Sequence, residues 1–487
     1  MTVKPIFSEK GITILAVFIA GLCSIIYELL ISTTASYFLG DSIKQFSIII
    51  GVYMAAMGVG SYFSKFFPER LILSFVLVEL LLGIIGGISV PLLYYCFEQV
   101  DRITYQFLTI ALTALIGFFT GLEIPLLARI MKQYYPLKVN LANVLSLDYM
   151  GALLATLLFP FLLLPFFGTF RTGVFFGGVN VFLGLFVLWY FSAHTQKNAR
   201  RILNASAVSV ILCFLLLLYF TQPLLARWDD AAFSHKVIFS KQTPYQHLIL
   251  TKNRADVRLY INRVIQFSSL DEYRYHESLA LLPLNVSTHP YQVLILGGGE
   301  GLLAREVLKD PRVEQVTVVD LDAEVFRLAR ENPYVKIINE GAAIHPKVRL
   351  VPQDALSFLM DAGQYYDVIL ADLHDPSNDA VARLYSKHFY RLVQSRLSAN
   401  GVFATQATST FHTKNAFWCI EETIQQSGFE HVYPFHTYVP SFGDWGFVMA
   451  SKQLIEPSAY QLDVPTQYLD TSTVKKHFHF EEDIQKP

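Results

Sequence analysis

The stretch VLILGGGEGLLAREVLKDPRVEQVTVVD, residues Val293 to Asp320, decides the fold of the C-terminal half of the chain. Four apolar residues at its start predict a buried strand; a glycine turn, a helix and a second strand that ends in an acid follow. In a doubly wound sheet this arrangement forms the nucleoside end of a ligand site, because glycines let the backbone approach the ligand and the acid accepts hydrogen bonds from ribose hydroxyls. The stretch by itself predicts only that an adenosine-type ligand binds.

Strands and helices alternate around this stretch. The further predicted strands are VRLVP (348–352), YDVILAD (366–372), GVFATQA (401–407) and GFVMASK (446–452). Alternation of this kind predicts a parallel α/β sheet. Upstream of it, residues 236–267 alternate like half-buried strands and residues 271–284 read as a helix. The segment after Glu456 is polar, and we expect it to be loose.

Composition sets the class of the whole chain. Hydrophobic residues make up 53% of the 487 residues and charged residues only 16%, which is too apolar for an ordinary soluble protein. The net charge of −2 gives no reason to expect a nucleic acid partner. The four cysteines lack metal-ligand spacing, so we expect small core residues without disulfides and no metal site.

The apolar residues are concentrated before about Trp228, where the sequence predicts a multi-pass α-helical membrane domain. Seven candidate spans each approach the ~20 residues needed to cross a hydrocarbon core. They are residues 11–33, 46–64, 71–97, 104–127, 147–167, 172–193 and 202–221. Only a short turn at residues 168–171 separates the fifth from the sixth. The Lys and Arg bias of the loops places the N-terminus in the cytoplasm, and seven spans would then put the C-terminal half outside. Nucleoside cofactors are kept inside the cell, so its facing stays open.

Carboxylates interrupt the apolar spans. Glu28, Glu79 and Glu123 lie within spans, and Asp148 lies near a span end. A buried acid costs several kcal/mol unless it is paired or protonated. Two interpretations stay open: an ion or polyamine pathway, or acids that are protonated or bonded to neighbouring helices for packing.

Acids recur where the predicted strands of the C-terminal half end. Asp320, Asp354, Asp372 and Asp375 follow strands, and Glu300 lies in the glycine turn. Ligands bind at the carboxyl ends of strands in such sheets, so these acids predict a crevice for a cationic ligand or for several hydroxyls. The sequence offers no P-loop lysine, Ser–His–Asp pattern or cysteine nucleophile. It therefore favours group transfer from a positively charged nucleoside to a cationic acceptor.

Several motifs in order carry a family resemblance from about Ser240 to Lys452. They are Tyr245-Gln246, RVIQFSSLDEYRYHE, GGGEGLLAREVLKDPRV, Asp320-Leu321-Asp322, Gln353-Asp354 and DLHDP at 372–376. This half resembles the spermidine synthases, the polyamine aminopropyltransferases. The first half resembles the multi-pass regions fused to some bacterial members. The resemblance implies a transmembrane domain at 1–225, a small β-rich part at 226–290, an α/β Rossmann-like methyltransferase-type domain at 291–455 and a polar tail at 456–487.

The resemblance implies aminopropyl transfer from decarboxylated S-adenosylmethionine, a co-substrate, to putrescine or a related amine. The products would be spermidine or an analogue and methylthioadenosine. The implied roles are Asp372 as the catalytic base; Gln246, Gly297, Gly299, Glu300, Asp320 and Asp354 as donor-binding residues; and Tyr275, His276, Asp375 and Gln406 as acceptor-binding residues. The expected partners are a small polyamine and the lipid bilayer of a bacterial cell membrane, and a homo-oligomer stays open.

Departures from the family pattern concern mostly the acceptor. Glu300 replaces the usual aspartate, and Leu373 and His374 replace the usual small pair between two acids. The family's late acceptor tyrosine has no clear match, and the nearby candidates are Tyr438, Asp444 and Trp445. Two other functions stay open at this point: a methyltransferase that uses ordinary S-adenosylmethionine, and a membrane polyamine transporter or sensor with a non-catalytic synthase-like domain.

Overall fold

The structure, a computed structural model, has two compact units, Met1–Ser234 and His235–Pro487. It describes residues 9–40, 42–67, 70–191, 197–221, 224, 233–243, 245–361, 363–376, 379–459, 461 and 463–486. The domain boundary predicted at residues 225 and 226 lies outside this described part of the chain.

The first unit is helical. Its helices are α1 (Glu9–Leu39), α2 (Ser42–Phe63), α3 (Leu71–Gln99), α4 (Arg102–Met131), α5 (Leu137–Leu158), α6 (Leu164–Tyr190) and α7 (Lys197–Tyr219). Six helical stretches within the described residues are long and apolar enough to cross a membrane, and one of them runs through 54 residues from Leu137 to Tyr190. Gly168, with a φ of 71° and a ψ of 174°, breaks the helix inside this stretch. The fifth and sixth predicted spans therefore lie in one helical stretch. This stretch is kinked at Gly168, within the short turn that the sequence predicted between the two spans.

Helices α3 and α6 pack at very short range because glycines line their contact. A Cβ atom on Gly83 would lie 2.8 Å from the carbonyl oxygen of Gly177, and one on Gly184 would lie 3.2 Å from the Cβ atom of Glu79. Small residues let apolar helices approach until their backbones touch, which strengthens van der Waals packing. Backbone atoms consequently form much of the contact between these two helices.

The second unit begins with a four-stranded antiparallel sheet. Its strands, in the order in which they pair, are β1 (Lys236–Gln242), β2 (His247–Asn253), β3 (Asp256–Ile261) and β4 (Val264–Ser268). The sequence run VRLYINRVIQF forms two of them rather than one strand. Asn262 and Arg263 both have positive φ, 50° and 68°, which is the geometry of a tight two-residue hairpin turn.

A seven-stranded sheet forms the core of the second unit. Its strands are β5 (Gln292–Gly297), β6 (Gln315–Asp320), β7 (Val348–Pro352), β8 (Tyr366–Asp372), β9 (Leu397–Ser409), β10 (His431–Val439) and β11 (Gly443–Ser451). Their order is β10-β11-β9-β8-β5-β6-β7. The five strands from β9 to β7 run parallel, whereas β11 pairs antiparallel with both β9 and β10. The predicted parallel sheet is thus correct for its centre and incomplete at one edge.

Helices cover the second sheet on both faces. They are α8 (Glu272–Val286), α9 (Leu302–Leu308), α10 (Ala323–Glu331), α11 (Pro333–Ile338), α12 (Ala355–Asp361), α13 (Asp379–Ala382), α14 (Lys387–Arg396), α15 (Lys414–Gln425) and α16 (Thr471–His477). Two apolar clusters lie on opposite sides of the sheet, which is the expected result when consecutive parallel strands are joined by helices.

The polar segment after Glu456 packs against the rest of the unit, so the expectation of a loose tail is wrong for its described residues. The buried carboxylate of Glu277 accepts hydrogen bonds from the backbone N–H groups of Gln467, Tyr468 and Leu469 at 2.6 to 3.0 Å. Val474 is buried as well. Polarity alone misled the prediction, because a buried carboxylate can hold a polar segment through its backbone.

Candidate active site

The glycine turn after β5 brings three backbone segments together. Gly297 and Gly298 have positive φ, 85° and 62°. A Cβ atom on Gly297 would overlap the carbonyl oxygen of Asp372, with which Gly297 is in register across β5 and β8. Only glycine combines this backbone conformation with so close an approach. The turn thereby sets the distance between the glycine loop and the acid at the end of β8.

Replacing Gly297 by alanine is expected to destabilise the second unit and to displace Asp372. Positive φ at a non-glycine residue costs roughly 1–3 kcal/mol, and the overlap with the Asp372 carbonyl adds to that cost. Thermal unfolding and adenosine-ligand binding measure the two effects. Gly363→Ala is the matched control, since a Cβ atom on Gly363 would have no described atom within 4 Å of it. Equal midpoints for the two variants would contradict this assignment.

Asp320 faces the glycine turn from the end of β6. Its Oδ2 accepts a hydrogen bond from the N–H of Gly299 at 3.2 Å, and its Oδ1 accepts one from the N–H of Asp322 at 3.0 Å. Burial raises the pKa of Asp320 to about 6, although these two hydrogen bonds oppose the rise. The hydroxyl of Thr243 donates a hydrogen bond to Asp322 Oδ2 at 2.7 Å. This bond fixes the turn that carries Gln246, which lines the same cavity as Asp320.

Glu300, His276 and Asp372 form the electrostatic centre of the site. The ligand-capable atoms of these three side chains all lie within 4.8 Å of one another. Burial, followed by the charge of Asp372, raises the pKa of Glu300 to about 8, and His276 opposes the rise. A bound cation would therefore be stabilised here, because it would relieve the repulsion between the carboxylates of Glu300 and Asp372.

His276 lies between two carboxylates inside this centre. Its Nδ1 lies 2.7 Å from Glu272 Oε2, and its Nε2 lies 3.8 Å from Glu300 Oε1. Burial alone would lower the pKa of His276, but the carboxylates of Glu272, Asp372 and Glu300 outweigh burial and raise it. Arg305 fixes Glu272 from behind through two hydrogen bonds of 2.8 and 2.9 Å. The sequence analysis missed both Glu272 and Arg305, although the i,i+4 spacing of Glu272 and His276 on a helix was a usable signal.

Asp372 is oriented by a tyrosine. The hydroxyl of Tyr275 donates to Asp372 Oδ1 at 2.6 Å. Burial and the charge of Asp372 raise the pKa of Tyr275 far above its usual range, so this hydroxyl stays protonated and keeps donating. The ring of Tyr275 packs against Phe442 and Phe447. Asp372 thus has one oxygen committed to the protein, which leaves the other available to a ligand.

Asp354 has an ionic partner that the sequence did not predict. Arg383 donates to Asp354 Oδ2 at 2.5 Å, and Ser357 donates to Oδ1 through its backbone N–H at 3.0 Å. Arg383 is half exposed and lies in a short helical turn, Arg383–Tyr385. No local pattern marks this pair, because it joins residues 29 positions apart.

Two adjoining cavities contain most of the predicted site residues. A cavity of about 340 Å³ is lined by Gln246, Tyr275, His276, Gly297, Glu300, Asp320, Asp354 and Asp372. A second, of about 280 Å³, is lined by Tyr275, Asp372, Asp375 and Gln406 together with Phe442 and Trp445. Tyr275 and Asp372 line both. Gly299 does not line either cavity and acts through its hydrogen bond to Asp320.

In the second cavity Gln406 is committed to the protein. Its side-chain nitrogen donates to the Leu373 carbonyl at 2.6 Å and to Asp375 Oδ1 at 3.3 Å, and its oxygen accepts from the N–H of Thr408 at 2.9 Å. Gln406 therefore positions Asp375. Of the three alternatives to the late tyrosine, Trp445 lines this cavity, and its indole nitrogen has no hydrogen-bond partner among the described residues.

Tyr438 and Asp444 line a different cavity of the second unit. Asp444 accepts hydrogen bonds from His436 and from the hydroxyl of Thr410. These contacts engage the Asp444 carboxylate, which lies outside the two cavities described above.

Comparison with known proteins gives one consistent result. Residues 272–459 match the model of the spermine/spermidine synthase domain. A polyamine aminopropyltransferase of Leptospira interrogans is 40% identical over 97% of this chain and 94% of its own length. Polyamine aminopropyltransferase 1 of Ralstonia nicotianae is 38% identical over 99% of this chain and 93% of its own. A spermidine synthase solved with the transition state analogue AdoDATO covers 50% of this chain and 85% of its own, with 25% identity and a TM-score of 0.47.

A glycine turn that meets an acid-lined cavity at the ends of parallel strands is typical of nucleoside-binding α/β enzymes. Identity of this extent over nearly full length then fixes the family. The chain belongs to the polyamine aminopropyltransferases, and it is a transferase. Membership disfavours the methyltransferase and the transporter or sensor interpretations of the sequence.

Proposed function

We propose that the second unit transfers the aminopropyl group of decarboxylated S-adenosylmethionine to putrescine or a related diamine. The observation that carries the proposal is the convergence of Glu300, Asp320 and Asp372 on one cavity. Asp320 would hold the ribose hydroxyls, Asp354 and Gln246 would contact the adenine and the donor's tail, and Glu300 would hold the donor's ammonium group. The glycine turn gives the donor backbone-lined space beside Asp320.

The reaction asks the protein mainly for positioning and for removal of a proton. The acceptor nitrogen forms a bond to the aminopropyl carbon, and the carbon–sulfur bond breaks with its electron pair going to sulfur, which gives neutral methylthioadenosine. The acceptor amine starts protonated, near the ~10.4 of a lysine side chain. Asp372, oriented by Tyr275, would take this proton before the attack. Alignment of the acceptor nitrogen with the aminopropyl carbon contributes the remainder of the rate enhancement.

The second cavity supplies the chemistry that a diamine needs. Asp375 would accept hydrogen bonds from the distal ammonium group, while the rings of Tyr275, Phe442 and Trp445 would face its methylene chain and its charge. Burial raises the pKa of Asp375, although hydrogen bonds from Gln406 and Thr408 oppose the rise. His276 lines the first cavity, 3.8 Å from Glu300 Oε1, and would hold that donor-binding acid in place.

Product identification tests this function directly. Full-length protein is mixed with a panel of diamines and with either decarboxylated or ordinary S-adenosylmethionine, and products are identified by mass. We expect methylthioadenosine and an aminopropylated amine only with the decarboxylated donor. Methylated product from the ordinary donor would refute the proposal.

Removing the side chain of Arg383 is expected to tighten donor binding. In the structure Arg383 occupies one oxygen of Asp354, the acid that would meet the adenine amino group. A half-exposed ion pair contributes about 0–1 kcal/mol, so Arg383→Ala should lower the donor Kd by up to about fivefold. Titration calorimetry measures the change, and Arg391→Ala, an exposed arginine on α14, is the control. Weaker binding by Arg383→Ala would mean that this arginine holds the donor instead of competing with it.

We further propose that the first unit anchors the protein in a bacterial cell membrane as a multi-pass domain. The six long apolar stretches support it, as do many large hydrophobic side chains exposed on α2, α5 and α7, which suit a lipid environment better than water. Expressed full-length chain should sediment with membranes and resist extraction by high salt or alkaline carbonate. Release by either wash would argue against spanning helices.

A further inference from the structure

The interior of the helical unit contains polar side chains that the proposed reaction does not use. Glu79 on α3 and Glu123 on α4 are 0% and 2% exposed, and Tyr27 on α1 is 0% exposed. These three side chains interact electrostatically with one another, and Cys23, Tyr53 and Asp148 each interact with at least one of them. We call Tyr27, Glu79 and Glu123 the interior cluster. Their helices pack mutually, so the cluster lies where three helices meet.

The oxygens of the interior cluster lack partners in the surrounding protein. The two carboxyl groups can hydrogen-bond each other only when one of them carries a proton. Otherwise, among the described residues, no hydrogen bond reaches the Glu79 carboxylate, Oε1 of Glu123 or the hydroxyl of Tyr27. Asn180 on α6 is 1% exposed, and both polar atoms of its amide are also unpartnered. It lies one turn before Gly184, which packs against Glu79. An unsatisfied buried polar group costs about 1–3 kcal/mol, so this concentration of them indicates a ligand.

A neighbouring tyrosine shows that the unit satisfies buried hydroxyls elsewhere. Tyr53, also 0% exposed, donates to the carbonyl of Ser24 at 2.9 Å and lies 3.0 Å from the hydroxyl oxygen of Thr120. Tyr27 and Tyr53 are thus chemically equal and equally buried, but of the two hydroxyls only that of Tyr53 has hydrogen-bond partners among the described residues. The difference distinguishes a packing tyrosine from one in a binding site.

Packing around the interior cluster limits the size of a ligand. A Cβ atom on Gly86 would lie 2.5 Å from the ring of Tyr27, and one on Gly184 would lie 3.2 Å from the Cβ atom of Glu79. Glycine backbone thus packs directly against the ring of Tyr27 and the first carbon of the Glu79 side chain, which favours a small ligand over a long diamine. Carboxylate, phenol and amide oxygens are the ligands that hard cations prefer, and charged groups buried among apolar helices commonly mark ion or proton sites.

We propose that Tyr27, Glu79 and Glu123 bind one small monovalent cation, Na⁺ or a proton, inside the helical unit. The positive charge offsets the repulsion of two neighbouring carboxylates, and the amide oxygen of Asn180 is a further ligand for Na⁺. Either cation uses the same oxygens, and the experiment separates them. The inference does not depend on the transferase reaction, since no residue of the second unit takes part.

Thermal unfolding of the full-length protein in detergent tests the Na⁺ arm. NaCl is raised while N-methylglucamine chloride keeps the ionic strength constant. If Na⁺ binds, the Tm should rise by about 3–5 °C for each tenfold increase in Na⁺ above its Kd. Glu79→Gln and Glu123→Gln should abolish this response, and Tyr27→Phe, which removes a single hydroxyl, should weaken it. In the controls Glu28→Gln and Tyr53→Phe the Tm should rise with Na⁺ as it does in the wild type, even if the starting Tm of either variant differs.

The proton arm uses the same proteins. A bound proton links stability to pH. If Na⁺ has no effect, the Tm of the wild type should therefore change between about pH 5.5 and pH 8.5. Glu79→Gln and Glu123→Gln should not show the same change of Tm with pH. Should the glutamine variants fail to fold, Tyr27→Phe compared with Tyr53→Phe decides, since both retain the carboxylates. Responses to Na⁺ and pH that are the same in Tyr27→Phe, both glutamine variants and the wild type would overturn the proposal.

Discussion

Asp372→Asn is expected to lower kcat by about 10²- to 10⁴-fold, the usual contribution of a general base. Asparagine keeps an oxygen that can accept the 2.6 Å hydrogen bond from the Tyr275 hydroxyl, so the arrangement of the site should persist. The variant loses only the ability to take the proton of the acceptor amine. Steady-state release of methylthioadenosine measures the loss, and donor Kd by calorimetry should stay within a few-fold of the wild type.

Asp361→Asn is the matched control, because Asp361 is exposed at the end of α12, outside both cavities. It should retain wild-type turnover. A Tyr275→Phe variant should lie between the two, since it leaves the carboxylate but frees it to rotate. Unchanged turnover in Asp372→Asn would remove this residue from the role of base, even if the donor still bound.

Donor affinity is expected to increase with pH up to about pH 8 and then level off. Glu300 must be ionised to hold an ammonium group, and burial together with Asp372 raises its pKa to about 8. Below that value each donor bound must displace a proton, so the Kd should rise by about tenfold for each unit that the pH falls. Asp320, whose pKa is raised by burial to about 6, should steepen the loss below about pH 6.

Glu300→Gln should remove the step near pH 8 and weaken donor binding at pH 8.5 by about 10- to 100-fold, the loss of one hydrogen bond between charged groups. It should also narrow the preference for the decarboxylated donor, because the ordinary donor's carboxylate would no longer meet a negative charge. Glu331→Gln, on the surface of α10, serves as the control. A Kd step near pH 8 that survives in Glu300→Gln would assign the proton to another group.

The centre of the fold was predictable because its signals are local. The strands at 348–352 and 366–372 were delimited to the residue by apolar runs that end in turn-forming or acidic residues. Strand β10 was missed because Pro434 lies inside it and a proline argues against a central strand. Its proline is tolerated because β10 is the edge of the sheet and, among the described strands, pairs with β11 alone.

The candidate site was predictable where a residue follows a strand and obscure where long-range pairing decides its role. Acids at strand ends share an edge whatever the loops do, which explains why Asp320 and Asp372 meet in one cavity. The partner of Asp354 comes from a later helical segment, and the amide of Gln406 is directed by Leu373 and Asp375. Neither contact has a sequence period, so only the tertiary structure reveals that these side chains have partners.

The carboxylate of Glu277 has a consequence for how the protein is made. The most distant of its three backbone donors, the N–H of Leu469, lies 192 positions downstream in the sequence. Until a nascent chain has been synthesised past that point, this charge lies in the forming interior without its three amide partners. We therefore expect the second unit to complete its folding late in translation, and chains that stop short of residue 469 to be recognised by chaperones and proteases more than the full-length chain.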